Sequence, residues 1–133
     1  MNTLTVSTNL AESFGWKDQN FSLCIYDRSY QKIAVNEVVI MEADGNYTLF
    51  YFSNGKKLMV SRTLKAYEEL LTRYSFVRIH KSYLINMHYL KEYDMTYQEE
   101  VVILKNGLRV GIARRRRKDF EVQAASFLRK SIR

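Results

Sequence analysis

The chain is expected to be mainly antiparallel β, with one central helix and a second helix at the C-terminus. Three observations predict this. Asp44-Gly45-Asn46, Asn54-Gly55 and Asn106-Gly107 each stand between apolar runs, and such pairs tolerate the positive φ of tight hairpin turns. Apolar residues recur at helical spacing in two stretches, over about residues 62–73 and from Phe120 onwards. Proline is absent from the 133 residues, so turns fall to glycine, asparagine and aspartate.

Residues 1–20 are polar and weakly patterned, and read as a flexible or docked lead with one short turn around Leu10–Phe14. Regular β signal starts at Phe21–Tyr26 and continues at Lys32–Val35. Val38–Ala43 has the composition of a buried strand. It turns at Asp44-Gly45-Asn46 into Tyr47–Phe52, which turns at Asn54-Gly55 into Lys57–Ser61. Ser61 is the expected N-cap of the central helix, where Leu64, Tyr67, Leu70 and Leu71 share one face and Lys65 and Glu69 lie opposite. Phe76–Asn86 begins by alternating apolar Val77 and Ile79 with polar Arg78 and His80, then runs on as another strand. Val101–Leu104 and Leu108–Ile112 form the last hairpin. Phe120, Ala124, Phe127 and Leu128 give an i, i+4, i+7, i+8 stripe that either closes the core or forms a dimer contact, the core being preferred. The expected division is a lead over 1–20, one β domain over 21–118 and a helix over 119–133.

A chain of this length can bury a real core as one domain. With 47% apolar residues, ten Tyr and seven Phe, global disorder is not expected. Cys24 is the only cysteine and cannot form an internal disulfide, which fits a reducing cytoplasm. No histidine or second cysteine stands near it in sequence, so it reads as an inert core thiol. No apolar stretch approaches the roughly 18–20 residues of a membrane span, and the N-terminus lacks the pattern of a signal peptide. A soluble, cytoplasmic protein with no membrane partner is expected.

Charge is the most uneven property of the chain. Residues 105–133 hold ten Lys/Arg against Asp119 and Glu121, a balance of +8, whereas residues 1–104 balance to −1. The field centres on Arg114, Arg115, Arg116, Arg117 and Lys118, and so many adjacent cations point to a polyanion. Charge alone does not separate DNA, RNA and an acidic protein. An enzyme is not expected. His80 and His88 are eight residues apart across an apolar strand, no metal-ligand spacing or glycine-rich phosphate loop forms around them, and Glu68-Glu69 and Glu99-Glu100 read as a helix surface and a turn. No metal or cofactor is expected either.

Three polar tips on the β scaffold sharpen the polyanion reading: Asp44–Tyr47, His80–Ser82 and Ala113–Lys118. They carry Asn, Lys, Arg, Ser and His, the residue types that hold phosphates or read base edges. Taken singly, Asn46 reads better as a turn residue, His80 divides evenly between a structural hydrogen bond and a phosphate contact, and Lys81 favours direct contact.

At these residues the sequence resembles the LytTR family, the DNA-binding output domain of many bacterial response regulators. Val39–Thr48 resembles the family's strand and loop of the type I-x-x-I-E-A-x-x-N-Y. Thr63–Leu71 followed by Phe76–Asn86 resembles its helix and its F-x-R-x-H-[RK]-S-[FY]-[IL]-V-N signature, and Gly107–Arg115 its closing segment. The likeness spans about residues 30–120. It implies an elongated set of small antiparallel sheets that inserts loops, in place of a recognition helix, into the major groove of double-stranded DNA. Carried over, Asn46 and Tyr47 match the first DNA-facing loop, Lys81 the second and Arg114 the third. Arg78, His80 and Ser82 match the frame of the second loop, and Arg115 follows Arg114 to the backbone. Ala113 stands where the family often has Ser, and Gly111 where it usually has Pro.

The expectation is thus a transcription regulator that reads promoter DNA, with two copies on a repeated site and a possible homodimer there. A receiver domain would need on the order of 100–150 residues, so none is expected within this chain. The rival readings are a protein-interaction module docking an acidic partner through the basic run, and an RNA-binding protein.

Overall fold

The computed structural model describes the backbone of residues 3–8, 21–27, 29–71, 74–96 and 99–132, and the side chains of 32–71, 74–96 and 100–127. These residues form three antiparallel sheets. The first joins β1 (Thr3–Thr8), β2 (Phe21–Asp27) and β3 (Ser29–Ala34) in that order. The second has β4 (Val38–Asp44), β5 (Tyr47–Phe52), β6 (Lys57–Ser61), β7 (Phe76–His80) and β8 (Tyr83–Asn86), in the order β6-β5-β4-β8-β7. The third has β9 (Leu90–Thr96), β10 (Glu99–Leu104) and β11 (Arg109–Gly111), in the order β11-β10-β9. Two α-helices join them, α1 (Leu64–Leu71) and α2 (Arg117–Ile132).

All three expected hairpin turns are present, with Gly45 at φ 62° and Gly55 and Gly107 at φ 90°. Elsewhere the structure departs from the sequence reading. Thr3–Thr8, expected in a polar lead, is a strand paired along its length with β2. The turn expected around Leu10–Phe14 lies outside the described residues, as do the side chains of Cys24 and Leu128. β9 had no counterpart in the sequence reading. Glu99 and Glu100, expected in a turn, open β10. The central helix is shorter than expected and starts later: Thr63 Oγ1, and not Ser61, accepts the backbone N–H of Ala66 at 3.4 Å. Helix α2 starts two residues before the expected boundary, within the usual spread of helix ends.

The five-stranded sheet separates two apolar cores. On one face Met41, Phe50, Val60 and Leu84 pack against Leu64, Tyr67 and Leu71 of α1. Phe50 and Tyr67 meet edge to face with ring centroids 5.0 Å apart, a favourable aromatic geometry. On the other face Val39, Ile79 and Ile85 pack against Val102, Leu104 and Val110 of the third sheet and Phe120 and Ala124 of α2. A register shift between Val38 and Ile40 lets Val39 and Ile40 both join this second core, where strict alternation would split them. Phe120 is fully buried, edge-on to Tyr93 at 5.2 Å, so the helical stripe closes the core.

Candidate nucleic-acid interface

Strand direction puts the three polar tips at one end of the central sheet. The first is the two-residue turn Gly45-Asn46 between the paired Asp44 and Tyr47. Gly45 takes the positive φ that the first central position of a type II′ hairpin requires. Asn46 and the half-exposed Tyr47 project there. The second tip is Lys81-Ser82, between the paired His80 and Tyr83. β4 and β8 are neighbours, and the Ala43 N–H donates to the Ser82 carbonyl at 2.9 Å, which joins the bases of the two tips. With strands about 4.8 Å apart, tips centred on adjacent strand pairs lie on the order of 10 Å from one another.

The third tip joins the row on the β7 side. The Ala113 N–H donates to the Ile79 carbonyl at 2.8 Å, just before His80. The chain then makes a short 3-10 turn over Arg114–Arg116 and enters α2. Asn46, Lys81 and Arg114 therefore belong to three consecutive tips along one sheet end. No length of strand separates them.

The candidate residues divide by what their side chains touch. Lys81, Arg115 and Lys118 are exposed, and the Arg114 side chain is 84% exposed with only a 4.0 Å approach to Glu100. Arg78 is different. Its Nε donates to the His80 carbonyl at 2.7 Å, its Nη2 to the Lys81 carbonyl, and its Nη1 to Glu68 at 2.6 Å. Arg78 thus braces the second tip from inside. His80 Nδ1 accepts the Ser82 N–H at 3.1 Å, which puts the ring proton on Nε2 and leaves Nε2–H as a donor.

Within the basic run, two arginines turn inward. Arg117 donates to Glu100 at 2.7 Å and to the Met95 carbonyl at 3.0 Å, pinning the start of α2 to the third sheet. Arg116 is partly buried, and its Nε has no hydrogen-bond partner among the described residues. Both precede the buried Phe120 by three or four residues, and so share its helix face. Extending the Phe120–Ala124 stripe back one turn is the sequence signal that separates them from Arg114 and Arg115.

One cation at this end was absent from the sequence reading. Arg62, between β6 and α1, holds φ at 141°, donates its N–H to the Asn46 carbonyl at 3.3 Å and accepts the Thr48 hydroxyl at 2.8 Å. A non-glycine residue at such φ costs on the order of 1–3 kcal/mol and is held by its surroundings. Buried Thr48 supplies part of that hold.

The family model described as the LytTr DNA-binding domain matches residues 28–124, well over half of the chain. The chain belongs to the LytTR family. Two similar proteins are named transcriptional regulatory protein LytR. The one from Staphylococcus aureus strain N315 is 29% identical over 124 residues, covering 90% of this chain and 47% of its own length. The one from strain bovine RF122 / ET3-1 is 32% identical over 108 residues, covering 78% of this chain and 42% of its own. The LytTR chain thus spans about half the length of these relatives. A solved LytTr DNA-binding domain from Bacillus cereus superposes with a TM-score of 0.65 at 21% identity, over 77% of this chain and 94% of that one, which shows the same fold. This is a DNA-binding domain of the kind found in transcriptional regulators, and the family is not one of enzymes. No helix among the described residues is long and apolar enough to cross a membrane.

Proposed function

We propose that this LytTR domain binds double-stranded DNA sequence-specifically and reads major-groove bases with its three aligned tips. The single observation that carries the reading is the pair of backbone hydrogen bonds, Ala43 to Ser82 and Ala113 to Ile79, that keeps the tips in one row. In this reading Asn46 and Lys81 supply base-edge donors and acceptors, and Arg114 supplies a fork that suits guanine O6 and N7. Arg115, Lys118 and Arg62 hold phosphates beside them, where counterion release supplies affinity. Tyr47, Ser82 and His80 Nε2–H contribute further backbone contacts. Arg78 and Arg117 act through the geometry they impose, and touch no DNA. Two copies occupy a repeated site.

Selection of bound sequences from a random duplex pool, followed by salt titration of affinity for the selected and a scrambled duplex, tests this. The expected result is one enriched motif and a log–log salt slope of about −0.9 per phosphate contacted on both duplexes. An unenriched pool would overturn base reading. Equal affinity for single-stranded RNA, or partner capture that survives nuclease, would favour the rival readings. Native mass spectrometry on duplexes with one and two motifs reads the number of copies bound.

A further inference from the structure

The face of the central sheet that carries the second core is covered unevenly. Its β5–β6 flank bears Tyr51 and Lys57, paired across the strands, and the half-exposed Met59. Between this flank and the β10–β11 hairpin lies a cavity of about 500 Å³, within the ~300–1,000 Å³ usual for small-molecule sites. Glu42 sits in its wall and accepts the Tyr51 hydroxyl at 2.7 Å and the Tyr83 hydroxyl at 3.5 Å. Lys56, Lys57 and Arg109 line the same space, with Lys57 Nζ 5.3 Å from the centre of the Tyr51 ring. Three cations thus face one carboxylate whose oxygens already receive two phenols. The wall favours an anion, and its two aromatic rings favour a flat apolar body.

We propose that this cavity is a binding site for small aromatic carboxylates, with the ring against Tyr51 and Tyr83 and the carboxylate toward Lys56, Lys57 and Arg109. The site also has a route to the second tip. Tyr83 follows Ser82 directly, and its ring lies 5.6 Å from that of His80. A ligand that displaces Tyr83 therefore shifts the Lys81-Ser82 turn and changes duplex affinity. This last step rests on the DNA reading proposed above, whereas the site itself does not.

The test is an amide-resolved NMR titration of the whole chain with 1-naphthylacetate, using acetate as a charge-only control and 1-naphthylmethanol as a ring-only control. Saturable shifts centred on Glu42, Tyr51 and Tyr83 are expected for the aromatic acid. The paired substitution Lys56→Ala and Lys57→Ala, on exposed turn residues outside the core, should weaken binding about tenfold, the loss of one charge-assisted contact. Absence of saturable shifts, equal response to acetate, or shifts confined to Arg114–Lys118 would overturn the site. In the second arm, saturating ligand should weaken duplex binding by about fivefold, at the low end of ordinary coupling. Binding with unchanged duplex affinity would overturn the coupling and keep the site. Failure of the free chain to bind any duplex would strike the DNA reading instead.

Discussion

Arg78 Nη1 lies 2.6 Å from Glu68 Oε1, and the arginine side chain is only 13% exposed. Through this pair α1 reaches the tip of the β7–β8 turn, because the same guanidinium also binds the carbonyls of His80 and Lys81. Arg78→Ala should destabilise the domain by about 2–3 kcal/mol, leaving a carboxylate and two carbonyls without their donor. Arg78→Lys should restore little, since an ammonium cannot span three acceptors in a fixed plane. Urea melts read the stability. Duplex affinity should fall with an unchanged salt slope, and a shallower slope would show that Arg78 contacts phosphate.

Arg114, Arg115 and Arg117 should separate into two kinds. Arg115→Ala is expected to leave the melting temperature unchanged and to reduce the salt slope by about 0.9. Arg117→Ala should instead cost about 1 kcal/mol of stability, discounted because its side chain is 36% exposed, and leave the slope nearly intact. Arg117 had first been expected to weaken all duplexes alike through its charge, and the Glu100 pairing is the reason for the change.

Lys81→Ala and Asn46→Ala should each cost roughly 1–3 kcal/mol on the selected duplex and much less on a scrambled one. The measurement is the ratio of the two affinities at fixed salt. Equal loss on both would remove these residues from base reading.

Arg62→Gly pits stability against binding. Glycine accepts a φ of 141° without strain, so relief of the strain minus the entropy of glycine should leave a gain of about 1 kcal/mol. The same change removes a cation beside Asn46, and duplex affinity should drop. A variant less stable than the parent would show that the φ is not a source of strain.

Tyr51 is pushed from its ordinary value of 10 up to about 12, first by the hydrogen bond its hydroxyl gives to Glu42, then by burial and by the carboxylate's charge. The neutral phenol is favoured in the folded chain. Its share of stability is therefore complete below about pH 10 and is lost as pH rises towards 12. Tyr51→Phe should flatten the stability profile across that window. A titration following the Tyr51 ring carbon by NMR should find it ionising later than the exposed tyrosines, and Glu42→Gln should bring it back down.

Much of the central architecture was legible because its causes are local. Glycine at Gly45, Gly55 and Gly107 permits the turn wherever the chain leads, and the flanking runs follow as strands. β9 escaped because its register shifts opposite Ile103 and Leu104, so Leu90 pairs with Leu104 and Glu92 with Ile103. The extra residue breaks the two-residue alternation, and Lys91, Glu92 and Asp94 on an edge strand hide the rest. Thr3–Thr8 escaped because Leu4 and Val6 alone are too short an apolar pattern to stand out. At the start of α1 a non-local contact prevailed: the Thr48 hydroxyl holds the Arg62 carbonyl, and the helix begins only after that strained residue.

For the site, residue types and turn chemistry were enough to name the three tips, because a polar turn between apolar strands is written in adjacent residues. Their alignment was not, since it depends on β8 pairing with β4 and on Ala113 docking beside β7, contacts between segments far apart in the chain. Nor could the basic run by itself say which arginines face solvent. That choice falls to Phe120, whose burial turns the preceding helix face, with Arg116 and Arg117 on it, toward the protein and leaves Arg114 and Arg115 outside. Local sequence determined where the chain turns and which charges it carries. Packing between distant segments decided which of those charges remain available to a partner.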